Sequence, residues 1–238
     1  MRPGRNTPSS LEDAAAYISS GMGTARRGRE SLPELRATER ILLCNWAKEK
    51  GCLFEQDPTL SLNRRQAHGE HIVGFDPLMG IWWKTTHPGK AGVGVEFRYD
   101  MLPPFSVSGI FARELLPSEY ISRMMLQNVE FSDDVRLEGY IDGINPSIVI
   151  SQPDIEGDPA TAGQMSVQMK ELCYFSLGNF QIGKPNSISF YNPERRIAMF
   201  DAHPGNFFHH QGLTIPIDGI ISAVSETEHS WLMGHLLA

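Results

Sequence analysis

The stretch Met199-Phe-Asp-Ala-His-Pro-Gly-Asn-Phe-Phe-His-His-Gln-Gly-Leu-Thr-Ile-Pro-Ile-Asp-Gly-Ile220 decides the reading of this chain. An apolar run ends at Asp201, and Pro204-Gly205 turns the chain. Asn206 then opens a hairpin whose tip falls near His210-Gln211-Gly212 and whose return strand delivers Asp218. The two ends of a hairpin lie side by side, so Asn206 and Asp218 converge although 12 positions separate them.

Two carboxylates and an amide gathered in this way suit phosphoryl transfer. That chemistry asks for a carboxylate to orient an attacking hydroxyl, and for oxygen ligands that hold Mg²⁺ against phosphates. The neighbouring histidines His203, His209 and His210 show no H-x-x-x-H or His/Cys spacing, so a histidine metal site is disfavoured. No G-x-S-x-G elbow supports Ser/His/Asp hydrolysis.

Outward from this segment, the short strands Asn186–Tyr191, Arg195–Phe200, Asn206–His210 and Leu213–Ile217 are expected, preceded by a helix over 160–177. Ile155-Glu-Gly-Asp-Pro159 is a Gly/Pro break. Before it lie two strands, Val135–Ile141 and Ser147–Pro153, and a helix from Pro117 with Tyr120, Ile121, Met124 and Met125 on one face. Earlier still, His71-Ile-Val-Gly-Phe75 and Ile81-Trp-Trp-Lys-Thr-Thr86 flank the turn Asp76-Pro-Leu-Met-Gly80, a hairpin whose second strand carries Lys84. Val93–Tyr99 reads as a further strand. Pro33–Lys50 is an amphipathic helix with Leu35, Ile41, Leu42 and Trp46 as its buried stripe and Gly51 as its stop. Residues 1–32 are rich in Gly, Ser, Pro, Ala and Arg and are expected to be mostly mobile, with room for a short helix over Leu11–Ser19. The order is α+β in two lobes.

Composition sets the remaining bounds. The 238 residues are 41% hydrophobic and 21% charged, an ordinary globular balance. No apolar run approaches the length of a membrane span, and the N-terminal residues have no apolar core of a secretory signal. A formal net charge of −7 with scattered Lys and Arg makes nucleic acid an unlikely partner, apart from the small cluster Arg26, Arg27 and Arg29. Cys44, Cys52 and Cys173 form no CxxC pair and are expected to be small buried residues in a reducing, cytoplasmic compartment.

The spacing D-x-x-x-x-N from Asp201 to Asn206, the hairpin behind it and the Ile217-Asp-Gly219 context resemble the kinase-like superfamily. The form D-x-H-P-x-N is more similar to small-molecule and atypical kinases than to eukaryotic protein kinases. In detail the chain looks like the kinase-like domains of bacterial and phage polyvalent proteins carried on mobile elements. Glu70-His-Ile-Val73, Trp83-Lys-Thr-Thr-His-Pro-Gly89, Pro117-Ser-Glu-Tyr120, Ser151-Gln-Pro-Asp-Ile-Glu-Gly157 and Asp201-Ala-His-Pro-Gly-Asn206 carry the likeness, over about residues 34–224.

The resemblance implies a minimal two-lobed protein-kinase-like fold. It divides the chain into a mobile segment 1–32, a strand-rich N-lobe with a leading helix over 33–155, and a truncated C-lobe over 156–238. It implies ATP and Mg²⁺ as cofactors and phosphotransfer to an unknown acceptor, or a catalytically inactive nucleotide-binding module that works through protein interaction. Asp201 would be the catalytic carboxylate, with His203 where a cation often follows the transferred phosphate. Asn206 and Asp218 would be metal ligands, Lys84 would pair the α- and β-phosphates, and Glu119 would position Lys84. Gln152, Ile155, Glu156 and Gly157 would form the hinge over which adenine lies.

The chain departs from the pattern in three places. Gly69 is the single candidate for a glycine-rich loop before Lys84. Met199-Phe200 replaces the usual polar pair before the catalytic carboxylate, and Ile220 follows Asp218-Gly219 where a Phe would separate Asp from Gly. Only 20 residues follow Asp218, so a protein substrate would need a platform supplied by a partner.

Overall fold

The computed structural model describes residues 10–23, 30–100, 106–178, 180 and 182–236. In chain order the elements are α1 (Ser10–Met22), α2 (Leu32–Lys50), β1 (Leu53–Phe54), β2 (Asn63–His68), β3 (His71–Asp76), β4 (Ile81–Thr86), β5 (Val93–Tyr99) and β6 (Val107–Glu114). Then follow α3 (Pro117–Phe131), β7 (Arg136–Ile141), β8 (Ser147–Pro153), β9 (Asp158–Pro159), α4 (Ala162–Glu171) and β10 (Phe175–Ser176). The chain ends with β11 (Ile188–Asn192), β12 (Ile197–Ala202), β13 (Phe207–His210), β14 (Leu213–Pro216), β15 (Ile220–Ala223) and α5 (Glu226–Leu236). The architecture is α+β. No described helix is long and apolar enough to cross a membrane.

Two compact units divide the chain, one comprising residues 1–93 and 114–154, the other 94–113 and 155–238. The first unit is a six-stranded sheet in the order β1-β7-β8-β4-β3-β2, covered by α1, α2 and α3. All its pairings are antiparallel except β1 with β7. Its core joins Leu43, Trp46 and Ala47 of α2 with Tyr120, Ile121 and Met124 of α3 and Leu137, Ile148 and Ile150 of the sheet. The helices start where local chemistry says they should. Ser31 and Glu34 form a capping box with Pro33 in the first turn of α2, and Gly51 at φ 69° ends it. A polar network is buried in the same unit. Arg123 of α3 forks the Glu70 carboxylate and also donates to the Val93 carbonyl, the Val93 N–H donates to Glu70 at 2.7 Å, and His71 Nε2 meets the Tyr120 hydroxyl at 2.8 Å.

The second unit holds a four-stranded sheet, β10-β11-β12-β15, a three-stranded sheet, β14-β13-β9, and the hairpin β5-β6 apart from its outermost residues, Val93 and Glu114. Phe97 of β5 meets Trp231 of α5 edge to face at 6.1 Å, and the Tyr99 hydroxyl donates to Glu228 at 2.7 Å.

Several expectations are corrected here. The short helix allowed over Leu11–Ser19 is present and longer, as α1 (Ser10–Met22), and instead of lying in a mostly mobile segment its Leu11, Ala14, Ile18 and Met22 are buried against α2 and α3. Their spacing of three and four is a helical stripe made of small and apolar residues, which composition alone disguises. The cluster Arg26, Arg27 and Arg29 lies outside the described residues. Residues 94–113, expected within the first lobe, belong to the second unit. The helix expected over 160–177 stops at Glu171, because Cys173 takes a left-handed φ of 61° and the chain then enters β10. Cys173 is exposed and Cys52 half-buried, leaving Cys44 as the buried cysteine. In α2, Ile41 is 61% exposed and Leu43 takes its place in the core.

Candidate functional site

β12 is a central strand of the second unit, and Ile197 to Phe200 are all buried. It pairs antiparallel with β11 on one side and β15 on the other, with Phe200 opposite Ile220. That register matters, since Asp201 follows Phe200 and Asp218 lies just before Gly219-Ile220. The turn Pro204–Asn206 is a single 3-10 turn. His203 caps it, with Nδ1 accepting from the Gly205 N–H at 3.0 Å. Across the mouth of the β13–β14 hairpin the Ile217 N–H donates to the Asn206 carbonyl at 2.9 Å, and Phe207 faces Pro216. Two strand pairings thus bring Asp201, His203, Asn206 and Asp218 to one end of β12 and β13.

Asp201 has a φ of 57°, a left-handed conformation that few residues other than glycine adopt and that Asp tolerates better than most. Its surroundings hold it there. Asn206 Nδ2 donates to the Asp201 carbonyl at 2.9 Å, and the Lys184 N–H donates to Asp201 Oδ1 at 2.6 Å. The amide nitrogen of Asn206 is thereby engaged, and its Oδ1 is the side-chain atom that could hold a cation. Gly183 lies so close that a Cβ at that position would overlap the Asp201 carboxyl, and its own φ is 92°. The loop carrying Gly183 and Lys184 is closed by the Ser187 N–H donating to the Lys184 carbonyl at 3.0 Å and by Ser187 Oγ donating to the Ile182 carbonyl at 3.0 Å.

Burial pushes the His203 imidazole below its ordinary range. The carboxylates of Asp201 and Asp218 pull it up and Lys184 pushes it further down, so all three charges act on this ring. Asp218 accepts from the Gly219 N–H at 3.1 Å. A carboxylate and an amide oxygen form the all-oxygen donor set that a hard divalent cation such as Mg²⁺ prefers.

In the first unit Lys84 is a buried strand lysine, 8% exposed, opposite Val73 and Ile150. Glu119 caps α3, with its carboxylate accepting from the Leu116 N–H at 2.8 Å. Asp133, just after α3, lies in reach of the Lys84 charge. Its Oδ2 accepts from the amides of Gln127 at 2.7 Å and Gln152 at 2.6 Å, and its Oδ1 from the Asp134 N–H at 2.8 Å. Burial pushes the Asp133 carboxyl above its ordinary value, and these donors together with Lys84 oppose that shift. Gly69, with φ 50°, is at the tip of the β2–β3 hairpin.

Of the expected hinge residues, Gln152 is buried on β8 with its side chain on Asp133. The strand ends where the Asp154 N–H donates to the Gly80 carbonyl at 2.9 Å and Trp82 Nε1 donates to the Asp154 carboxylate at 2.7 Å. Ile155, Glu156 and Gly157 begin the second stretch of the other unit. Gly157 has φ 149°, and a Cβ there would sit 2.7 Å from the His209 carbonyl oxygen, so glycine is what allows the chain to enter β9 beside β13.

Sequence reasoning missed Gly183, Lys184 and Asp133. Gly183-Lys-Pro-Asn186 does carry a turn signature, but such a signature marks a loop without saying what the loop touches. Comparison of the chain with protein-family models, with curated proteins and with solved structures returns no match.

Proposed function

We propose that this chain is an ATP- and Mg²⁺-dependent phosphotransferase of the kinase-like type, with an acceptor of unknown identity. The observation that carries the reading is the convergence of Asp201, Asn206 and Asp218 at the joint mouth of β12–β15 and β13–β14. In this reading Asp201 orients the acceptor hydroxyl and takes its proton as the oxygen attacks. Its left-handed backbone and the Lys184 N–H on Oδ1 aim the second carboxylate oxygen. Asn206 Oδ1 and the Asp218 carboxylate hold Mg²⁺, which when bound neutralises phosphate charge. Lys84 contacts the α- and β-phosphates, with the Asp133 carboxyl near enough to feel its charge. The main chain of 152–157 receives the adenine. The resemblance to mobile-element kinase-like domains supports a bacterial, cytoplasmic setting.

A catalytically silent nucleotide-binding module is the second reading, favoured by the single glycine at the β2–β3 tip. A thermal-shift titration with ATP, ADP and Mg²⁺ on the wild type, Asp218→Ala, Lys84→Ala and Asp201→Ala separates the two. The phosphotransferase reading expects a Mg²⁺-dependent rise in Tm, which a ligand at a hundred times its Kd produces by adding about 2.7 kcal/mol. Asp218→Ala and Lys84→Ala should lose that rise. Asp201→Ala should keep it while ATP turnover falls at least about a hundredfold. Binding without turnover in the wild type selects the silent module, and no response to any nucleotide defeats both readings.

A further inference from the structure

Phosphoryl transfer gathers negative charge on the moving group, and a cation beside the acceptor carboxylate is the usual way to offset it. The residue at the sequence position expected to supply one, His203, is placed otherwise. Its Nδ1 accepts a hydrogen bond from the Gly205 N–H at 3.0 Å, which requires that nitrogen to be unprotonated. The ring is therefore a neutral imidazole that can donate from Nε2 alone.

We propose that Lys184 is that cation: from its loop above Asp201 it contacts the γ-phosphate of ATP and follows the phosphoryl group to the acceptor. This rests on the phosphotransferase reading. The Lys184 N–H is fixed to Asp201 Oδ1 at 2.6 Å, so the root of the side chain is tied to the carboxylate that faces the acceptor. Gly183 packs on that carboxyl too closely for any larger residue, and the Ser187 bonds close the loop behind it. Lys184 itself is exposed, and its four-carbon stem leaves the ammonium free to swing onto a bound phosphate. Its charge acts on the His203 ring together with those of Asp201 and Asp218.

In the transfer step the acceptor oxygen forms a bond to the γ-phosphorus and the bond from that phosphorus to the β,γ-bridging oxygen breaks. The bond's electron pair stays with ADP, and the hydroxyl proton goes to Asp201. Lys184 neither gives nor takes a proton. Its contact is with the three peripheral oxygens that both ATP and the phosphorylated product carry and that ADP lacks.

The distinguishing experiment is a calorimetric titration of the full chain with ATP·Mg²⁺ and with ADP·Mg²⁺, for the wild type, Lys184→Met and Lys184→Arg. Lys184→Met removes the charge but keeps both the N–H on Asp201 and the length of the stem. We expect it to weaken ATP about tenfold and to leave ADP within about twofold, with Lys184→Arg recovering most of the loss, as a partly exposed charge-assisted contact should. An unchanged ratio of ADP to ATP affinity overturns the assignment of Lys184, as does an equal weakening of both nucleotides. If the wild type binds neither nucleotide, the phosphotransferase reading itself falls and the Lys184 role falls with it. Binding with an unchanged ratio removes the Lys184 role alone.

Discussion

Asp201 and Gly183 depend on each other. The aspartate is held in a left-handed conformation, and the glycine facing it has both a positive φ and no room for a side chain. Gly183→Ala should therefore cost more than backbone strain alone, about 2–4 kcal/mol in urea unfolding. Gly178 provides the control. Its φ is 60° but nothing lies near the Cβ it would gain, so Gly178→Ala should cost about 1 kcal/mol. The difference between the two variants measures the overlap with the Asp201 carboxyl, and equal costs would show that the overlap is relieved without effect. At this scale Asp201, Asn206 and Asp218 were legible because they lie in one continuous stretch whose Pro-Gly turn and hairpin signals fix their relation. Lys184 was not legible, since it reaches Asp201 through a hydrogen bond from its main chain, and main-chain donors leave no mark in the identity of a residue. Asp133 was hidden for a related reason. Its role depends on which face of the sheet Lys84 occupies, and Trp82-Trp83 beside it obscure the alternation that would have revealed this.

Among the elements, α1 separates what a pattern shows from what composition suggests. Its buried positions Leu11, Ala14, Ile18 and Met22 follow helical spacing, yet the surrounding Ser, Ala and Gly resemble a tail. The helices α2 and α3 were legible because strong local signals bound them: Pro33 and Gly51 for α2, and Pro117 for α3. Packing of α1 on α2 and α3 predicts that Ile18→Ala costs about 2–4 kcal/mol in chemical unfolding, whereas a mobile segment would show almost no effect. A second test uses pH. Asp13 accepts from Trp46 Nε1 at 2.9 Å and pairs with Lys50 Nζ at 2.8 Å. The Lys50 and Trp46 hydrogen bonds hold its carboxyl below the ordinary 3.8. A folded-state value depressed in this way contributes stability that is complete above the unfolded value and is lost as pH falls through the folded one. The Tm difference between the wild type and Asp13→Asn should thus be largest near neutral pH and shrink as pH drops below about 4. A difference that stays constant across that window would show that the Asp13 carboxylate does not tie α1 to α2.

The chain as a whole is divided in a way that its order of elements does not announce. The break at 154/155 coincides with Gly and Pro punctuation, which a sequence shows plainly. Residues 94–113 belong to the second unit and touch α5, more than a hundred residues away, and no local pattern encodes a partner at that distance. Phe97 is buried and meets Trp231 edge to face, the Trp231 ring lies tilted against Phe180 at 5.2 Å, and Tyr99 reaches Glu228. The second unit is therefore completed by a hairpin drawn from the middle of the first, and residues 155–238 by themselves lack part of their own core. A double-mutant cycle in the full chain tests this. Phe97→Ala should cost about 3 kcal/mol, as expected for removing a buried phenylalanine. Because Phe97 and Trp231 share one contact, adding Trp231→Ala should cost less than the sum of the two single changes, with a coupling of about 0.5–1.5 kcal/mol from the aromatic pair. Strict additivity would mean that the hairpin contributes to the second unit without this contact, and the discontinuous core would then have to rest on Tyr99 and Glu228 alone.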